Sequence, residues 1–301
     1  RTKRKEIGVL DKIRIHIKDI LLCLSHAEGI VSPALSRHHQ QVAYLSCRLA
    51  ERLDFSPEQR KDIYLAALIH DVGALSLDER LEIIESEPLH VNHHAFRGAK
   101  LFHDFKPLRA ASNLIRYHHL PWEDGAGQRY QGEKVPISSH LIHLADRTCA
   151  KLKPSRNILS QLPGVLDLIE AQRGSMFVPE QVDALFDLSK TEFIWLDLMS
   201  REPVQKLPDG IVSMVALEMD DLVELADLFS HIIDFRSKFT ARHSAGVAKT
   251  AEKIAKLVGF SPNECKKMLV AGYLHDLGKL AIDTDILEKP SKLDPDEFNE
   301  M

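Results

Sequence analysis

Two stretches of this chain are similar in pattern: AALIHDVGALSL at residues 66–77 and AGYLHDLGKLAI at residues 271–282. In both, a mainly apolar run leads into a His-Asp pair, and a glycine follows the pair after one residue. Apolar residues at helical spacing followed by glycine are typical of a helix and its C-terminal end. The pattern therefore predicts a helix that ends at Gly73 and carries His70 and Asp71, where its negative C-terminal end favours a cation.

The similarity between the two stretches belongs to a longer internal repeat. A shift of 205 residues aligns the chain with itself, without a gap, between about residues 25 and 77. The aligned pairs include His38 with His243, His70-Asp71 with His275-Asp276, and Phe55-Ser56-Pro57 with Phe260-Ser261-Pro262. A match of this length indicates a duplicated domain. We expect one complete unit over 1–190, a connector over 191–212, and the N-terminal part of a second unit over 213–301.

The secondary structure predicted from the sequence is entirely helical. Val42, Leu45 and Leu49 fall on one helical face, and SPEQ at 56–59 has the residues of a helix N-terminus, with Ser56 as N-cap and Gln59 as its reciprocal partner. Period-two runs of β-branched and aromatic residues are absent from the sequence. Further helices are predicted at about 93–105, 108–119, 137–152, 157–171 and 179–190. The fold class is thus all-α, a duplicated helical bundle.

Composition narrows the range of functions. The 301 residues carry a net charge of −5 and include 16 histidines, 13 of them within residues 1–146. The acidic balance argues against DNA or RNA binding, which needs a basic surface. No apolar run is long enough to cross a membrane, and four scattered cysteines suit a reducing, cytoplasmic location. The opening RTKRKEIG suggests a piece of a longer chain.

The histidines and two aspartates form a candidate metal site in the first unit. Asp146 lies on an otherwise apolar helical face, where an ionised carboxylate needs a partner, and Arg147 is expected to point elsewhere. The candidate ligands are His38, His70, Asp71, His94, His118, His119 and Asp146. Seven ligands exceed the needs of one ion, so we expect two divalent transition metals, Fe, Mn or Zn, that share Asp71. Taken singly, each residue could equally be a helix cap or a hydrogen-bonded core residue. The remaining histidines considered, expected mainly at the surface or behind the ligands, are His39, His93, His103, His140 and His143.

The order and spacing of these residues resemble the HD-GYP domain, a branch of the HD phosphohydrolases. The matching words include HHQQVA at 38–43, ALIHDVG at 67–73 and RYHHLPWEDGAG at 116–127. The resemblance covers about residues 20–190 and, in the second copy, about 222–301. It implies an all-helical bundle with a metal centre that hydrolyses cyclic di-GMP or a related cyclic dinucleotide, with the seven residues as metal ligands. In the second copy it implies a partial site of His243, His275 and Asp276, with Lys279 on substrate phosphate.

The first copy departs from the family pattern around the substrate. Ala74 stands where the family has the lysine that the second copy keeps as Lys279, and His140 replaces an arginine. Leu120 replaces a glutamate, and Gln128-Arg129 replace the Tyr-Pro of the signature. Ala34 replaces the glutamate of members with three metals, which favours two metals here.

These departures leave two alternatives to the phosphodiesterase hypothesis. In the first, the unit is a catalytically weak or inactive regulatory or scaffold module of bacterial second-messenger signalling. In the second, the enzyme acts on other nucleotides or phosphomonoesters. A homodimer or a signalling-protein partner is compatible with the sequence, which does not decide between them.

Overall fold

The structure, a computed structural model, describes residues 15–30, 37–74, 79, 81–83, 92–153, 155–208, 216–235 and 243–301. Ala34 lies outside the described residues. Contacts divide the chain into two compact units, and the first comprises Leu21–Ser213 with Ala281–Asp283 while the second comprises the remainder. Helix α1 (Ile17–Ile30) begins in the second unit and continues into the first.

The helices of the first unit surround one core. They are α2 (His38–Arg52), α3 (Pro57–Leu68), α4 (Asn92–Phe102), α5 (Arg109–Ile115), α6 (Ile137–Lys151), α7 (Ile158–Glu170), α8 (Pro179–Ser189) and α9 (Glu192–Leu198). Helix α2 is central because it packs against α3, α6, α8 and α9. The all-α prediction is confirmed, since the strands among the described residues are four pairs of residues: β1 (Ile15–His16) with β4 (Ala216–Leu217), and β2 (Arg129–Tyr130) with β3 (Glu133–Lys134).

The described part of the second unit repeats the front of the first. Its helices are α10 (Met219–Phe235), α11 (His243–Leu257), α12 (Pro262–Leu274), α13 (Thr284–Leu287) and α14 (Pro295–Glu300). Helix α11 spans the residues that match α2 at the shift of 205, and α12 begins at the position that matches Pro57. The predicted cap at Ser56 is present with Gln59 as partner, and Ser261 with Glu264 forms the same capping box. The repeat in sequence is thus a repeat in structure.

The predicted connector is wrong for residues 191–208. Helix α9 packs against α2, α7 and α8, and the Trp195 side chain is fully buried. Two side chains of the α2 region bind the end of α9, since Gln41 donates to the Leu198 carbonyl at 3.2 Å and Arg37 to the Met199 carbonyl at 3.2 Å. This segment therefore completes the first unit. Residues 209–212 lie outside the described residues.

The turn after α3 approaches the backbone of α4 without an intervening side chain. A Cβ placed on Gly73 would lie 2.0 Å from the His94 carbonyl oxygen and 2.5 Å from the Gly98 nitrogen. A Cβ on Gly98 would in turn lie 3.3 Å from the Gly73 nitrogen. Two glycines thus allow α4 to pack directly on the turn that holds His70 and Asp71.

We predict that Gly73→Ala destabilises the fold, because the methyl group overlaps backbone that no side-chain rotation can move. Overpacking of this kind costs about 1–3 kcal/mol. Gly164→Ala is the matched control, because Gly164 is exposed in α7 and nothing lies within 4 Å of its added Cβ. The control should be neutral or stabilising by up to about 1 kcal/mol. Thermal unfolding in EDTA, followed by circular dichroism, measures both, and equal midpoints for the two variants would contradict the close packing.

Candidate metal centre

His70 and Asp71 lie in the turn that follows α3 rather than on the helix itself. The helix ends at Leu68, five residues before the predicted end at Gly73. The His70 Nδ1–H donates to the Ala67 carbonyl at 2.8 Å, which directs Nε2 into the cluster. A carbonyl partner on one ring nitrogen is the usual way in which a protein orients a histidine toward a metal.

The Asp71 carboxylate lies between two groups of imidazoles. Its Oδ1 is 3.1 Å from His94 Nε2 and 3.7 Å from His118 Nε2. Its Oδ2 is 3.2 Å from His70 Nε2 and 4.0 Å from His39 Nε2. Each oxygen therefore faces a different set of nitrogen donors, as a carboxylate shared by two ions would require.

Asp146 and His38 complete the group on the His70 side. Asp146 Oδ1 is 3.0 Å from His38 Nε2 and 3.8 Å from His70 Nε2. Its other oxygen, Oδ2, accepts hydrogen bonds from Arg147 Nε at 3.0 Å and Nη2 at 2.7 Å. The expectation that Arg147 points elsewhere is therefore wrong, because a long guanidinium stem can fold back onto a neighbouring residue. Arg147 Nη1 also donates to the Ile83 carbonyl at 2.9 Å.

His94, His118 and His119 form the opposite group with Asp71. The His118 Nδ1–H donates to the Ile115 carbonyl at 2.7 Å, repeating the orientation seen at His70. The His94 and His118 Nε2 atoms are 3.4 Å apart, and the His118 and His119 ring centroids are 4.1 Å apart. Because all three rings are buried, they face one another and Asp71 rather than water.

The structure thus brings all seven predicted residues together, in groups whose donor atoms lie within 4.8 Å of one another. These groups are Asp71-His94-His118-His119, His38-His70-Asp146 and His39-His70-Asp71. His39 belongs to the last group, although the sequence predicts it at the surface or behind the ligands and not among them; it directly follows His38 at the start of α2. Adjacency to a predicted ligand at a helix start was the available signal.

Two further histidines are buried behind the cluster. The His143 ring packs 5.4 Å from the His119 ring and 5.5 Å from the Phe177 ring. The His140 ring nitrogens lie 3.1 Å from the Leu120 carbonyl and 3.2 Å from the Gly127 carbonyl. Burial lowers the pKa of His140 to about 4, so a neutral ring donates to one of these carbonyls at a time. His140 therefore holds the 120–127 loop and supplies no positive charge, whereas His93 and His103 are exposed.

Without bound metal, the pKa values of the cluster residues are shifted in different directions. Burial disfavours a charged His70, but the carboxylates of Asp71 and Asp146 outweigh it and raise the pKa of His70 to about 10. Burial lowers the pKa of His118 to about 4. Burial also opposes ionisation of the two aspartates, yet neighbouring histidines and, for Asp146, Arg147 hold both of their pKa values well below the usual range. The two buried carboxylates thus lie beside the Arg147 guanidinium and a protonated His70.

Several of the buried atoms lie as close as 3.0–3.1 Å to one another but are not aligned as hydrogen bonds. They are His38 Nε2, His70 Nε2, Asp71 Oδ1 and Asp146 Oδ1. Buried polar atoms without hydrogen bonds are costly and need an explanation. Imidazole nitrogens and carboxylate oxygens that converge in this way fit a transition metal, so the described residues form a site that could hold metal ions.

The second unit carries a smaller and more exposed version of this cluster. His275 Nε2 is 3.3 Å and His243 Nε2 is 3.8 Å from Asp276 Oδ2, and Lys279 Nζ is 2.7 Å from the same oxygen. His243 is exposed, with a side-chain exposure of 49%. The structure thus brings His243, His275 and Asp276 together, with Lys279 beside them, as a group that could hold a metal ion.

The chain is similar in sequence and in fold to known cyclic dinucleotide phosphodiesterases. The 3′3′-cGAMP-specific phosphodiesterase 1 of Vibrio cholerae is 26% identical over 295 residues, which is 94% of this chain and 68% of that protein. The cyclic di-GMP phosphodiesterase of Thermotoga maritima is 27% identical over 165 residues, covering 51% of this chain and 44% of that protein. The crystal structure of a cyclic GMP-AMP specific phosphodiesterase of V. cholerae has the same fold, with a TM-score of 0.68 at 21% identity over 95% of this chain and 76% of that one.

Helical bundles with a buried His-Asp cluster of this kind define a class of hydrolases. The HD domain family model matches residues 35–151 and 240–301, one segment in each copy of the repeat. The chain belongs to the HD domain family. This membership and its phosphodiesterase relatives make it a hydrolase. No helix among the described residues is long and apolar enough to span a membrane.

We predict that Arg147→Met weakens metal binding about 10- to 100-fold, the usual cost of losing a group that orients a ligand. The change removes three hydrogen bonds and leaves Asp146 Oδ2 buried without its donors. The metal affinity of Arg147→Lys should lie between those of the wild type and Arg147→Met, because a lysine ammonium keeps the charge but cannot donate two hydrogen bonds to Asp146 Oδ2 as the guanidinium does. Competition with a chromogenic chelator for Zn²⁺ or Mn²⁺ measures the dissociation constant.

Arg52→Gln is the control for that series, because Arg52 forms an exposed pair with Asp187. Its metal affinity should equal that of the wild type. Unfolding in EDTA separates loss of the site from loss of the fold. Wild-type affinity in Arg147→Met would show that Arg147 does not orient Asp146.

Proposed function

We propose that the chain is a metal-dependent phosphodiesterase that hydrolyses cyclic di-GMP or a related cyclic dinucleotide at a dinuclear site in the first unit. The observation that carries the proposal is the position of Asp71, whose two oxygens face separate groups of imidazoles. The relatives from V. cholerae and T. maritima, named for hydrolysis of cyclic dinucleotides, support the substrate class.

The two ions would divide the ligands between them. His38, His70 and Asp146 would hold one ion, and His94, His118 and His119 the other, with Asp71 shared. Mixed nitrogen and oxygen donors suit Fe, Mn or Zn better than Mg or Ca. Bound ions of this kind polarise a phosphodiester and make hydroxide available for in-line attack at phosphorus near neutral pH.

The protein's own groups prepare the site for that chemistry. Because the pKa of His70 is about 10, the metal-free ring holds a proton that it must release before it can act as a ligand. Arg147 fixes Asp146 so that one oxygen, Oδ1, faces His38 and His70. Two divalent ions would exceed the charge of the two carboxylates, and the net positive site would attract the anionic phosphodiester.

One observation favours the alternative of a weak or inactive regulatory module. Ala74 is fully buried and packs against Ile83, so the first unit has no cation at the position of Lys279. His140, which replaces the family arginine, is turned toward two carbonyls. Both departures remove positive charge from the substrate side and leave the ligand cluster intact.

We predict that Asp71→Asn loses both metal and hydrolysis, because an amide cannot supply two anionic donors to two ions. Wild-type protein purified without chelator under low oxygen should contain about two transition metals per chain, by analogy with two-metal sites. Elemental analysis and chromatography of cyclic di-GMP and 3′3′-cGAMP reactions measure the two properties.

The matched control is Asp167→Asn, the same substitution at an exposed position of α7. It should leave metal content and hydrolysis unchanged. Metal retained in Asp71→Asn would refute the bridging role. Bound metal in the wild type without hydrolysis of either dinucleotide would refute the phosphodiesterase proposal and favour the regulatory alternative.

We predict that Ala74→Lys raises kcat/KM at least about 10-fold, the value of one charge-assisted contact. Lys279 in the second unit shows that a lysine at this position reaches the aspartate of the pair, at 2.7 Å. Ala74→Met is the matched control, with a side chain of similar length and no charge. Equal turnover by the two variants would show that the missing lysine does not limit the first unit.

A further inference from the structure

A groove on the first unit, outside the metal cluster, runs between α4 and α5. It has a volume of about 900 Å³, within the range of small-molecule sites. Between its ends the two helices are joined by the Ser112 hydroxyl, which donates to the Ala99 carbonyl at 2.7 Å. We call it the α4–α5 groove.

The walls of the α4–α5 groove are strongly basic. Four exposed cations line it against one carboxylate, that of Asp104; the cations are Lys100, Lys106, Arg109 and Arg116. Lys100 and Lys106 form no ion pair with any residue in the described ranges. The chain as a whole carries a net charge of −5, so the groove concentrates positive charge on an acidic protein. Uncompensated cations around a concave surface attract an anion.

The two ends of the groove differ in chemistry. At one end the Arg116 guanidinium lies over the Phe96 ring, 5.6 Å from its centroid. At the other end Arg109 Nε donates to the His103 carbonyl at 3.3 Å, near Lys106. Phe96 and His103 are seven residues apart on and just after α4, so the ends are separated by about 10 Å. An aromatic ring and a guanidinium plane accept a stacked base, whereas lysine and arginine at the far end suit phosphate.

We propose that the α4–α5 groove binds a phosphorylated nucleotide, with its phosphates at the Lys100-Lys106-Arg109 end and its base at the Phe96-Arg116 end. This site goes beyond the proposed hydrolysis and does not depend on it, because none of these residues belongs to the ligand cluster. The volume and the aromatic end favour a small nucleotide over an acidic peptide, which would use the charges alone.

The test is calorimetric titration of the full chain in EDTA, so that bound metal contributes nothing. The probes are GDP, inorganic pyrophosphate and a short poly-glutamate peptide. The groove variant is Lys100→Gln/Lys106→Gln/Arg109→Gln. The matched control is Lys134→Gln/Lys151→Gln/Lys153→Gln, which removes the same charge from exposed positions outside the groove. Phe96→Leu tests the base end.

We expect GDP to bind the wild type and the control equally, and the groove variant at least 10-fold more weakly. Phe96→Leu should weaken the binding of GDP several-fold and leave the affinity for pyrophosphate unchanged. No GDP binding, or equal weakening in the groove variant and the control, would overturn the site. If poly-glutamate binds, and if GDP binds no more tightly than pyrophosphate, the proposed nucleotide ligand is wrong and an acidic peptide is favoured. Loss of hydrolysis in the Asp71→Asn series bears on the proposed function alone.

Discussion

Two carboxylates buried among histidines constrain the whole first unit. An ionised aspartate away from water is tolerated only with close partners of opposite charge or strong donors. Asp71 and Asp146 meet this requirement with groups drawn from α2, the turn after α3, α4, the end of α5 and α6. The helices that deliver those groups must therefore converge at one point, and the arrangement of the bundle follows from that convergence.

The duplication shows how much of the site depends on the later helices. The sequence word around His275 and Asp276 folds as its counterpart does, with the same cap and the same carbonyl bond, from His275 Nδ1 to the Gly272 carbonyl at 2.8 Å. Yet Asp276 is only partly buried and binds Lys279, whereas Asp71 is enclosed by imidazoles. The His-Asp pair alone thus provides part of a candidate metal site, and residues from α4, the turn after α5 and α6 enclose it.

Features that depend on local sequence patterns could be predicted from the sequence. Features that depend on side-chain burial and on long side-chain contacts could not. The presence of the helices in the first unit, the Ser56 cap and the grouping of the seven candidate ligands could be predicted from periodicity, spacing and family resemblance, whereas the end of α3 could not. The burial of His39, His140 and His143 could not, because a histidine suits surface and core alike. Arg147 was misjudged because its guanidinium can turn back to its neighbour.

Two larger features were also beyond sequence reasoning. The sequence predicts a connector where α9 forms, because the apolar face of α9 is short and a segment with two prolines follows it. The burial of Trp195 depends on three other helices, which the local sequence does not specify. The α4–α5 groove could not be predicted from the net charge, because a total of −5 does not show where two helices bring cations together.

The contact between Gly73 and Gly98 has an evolutionary consequence. It sets the spacing of Asp71 and His94 through backbone alone, so substitutions in the surrounding side chains leave that spacing unchanged. Positions that depart from the family pattern, such as Ala74 and His140, can then change while Asp71 and His94 keep their separation. A lineage built on such a contact can change many of its side chains while the relative placement of the Asp71 and His94 backbones is inherited.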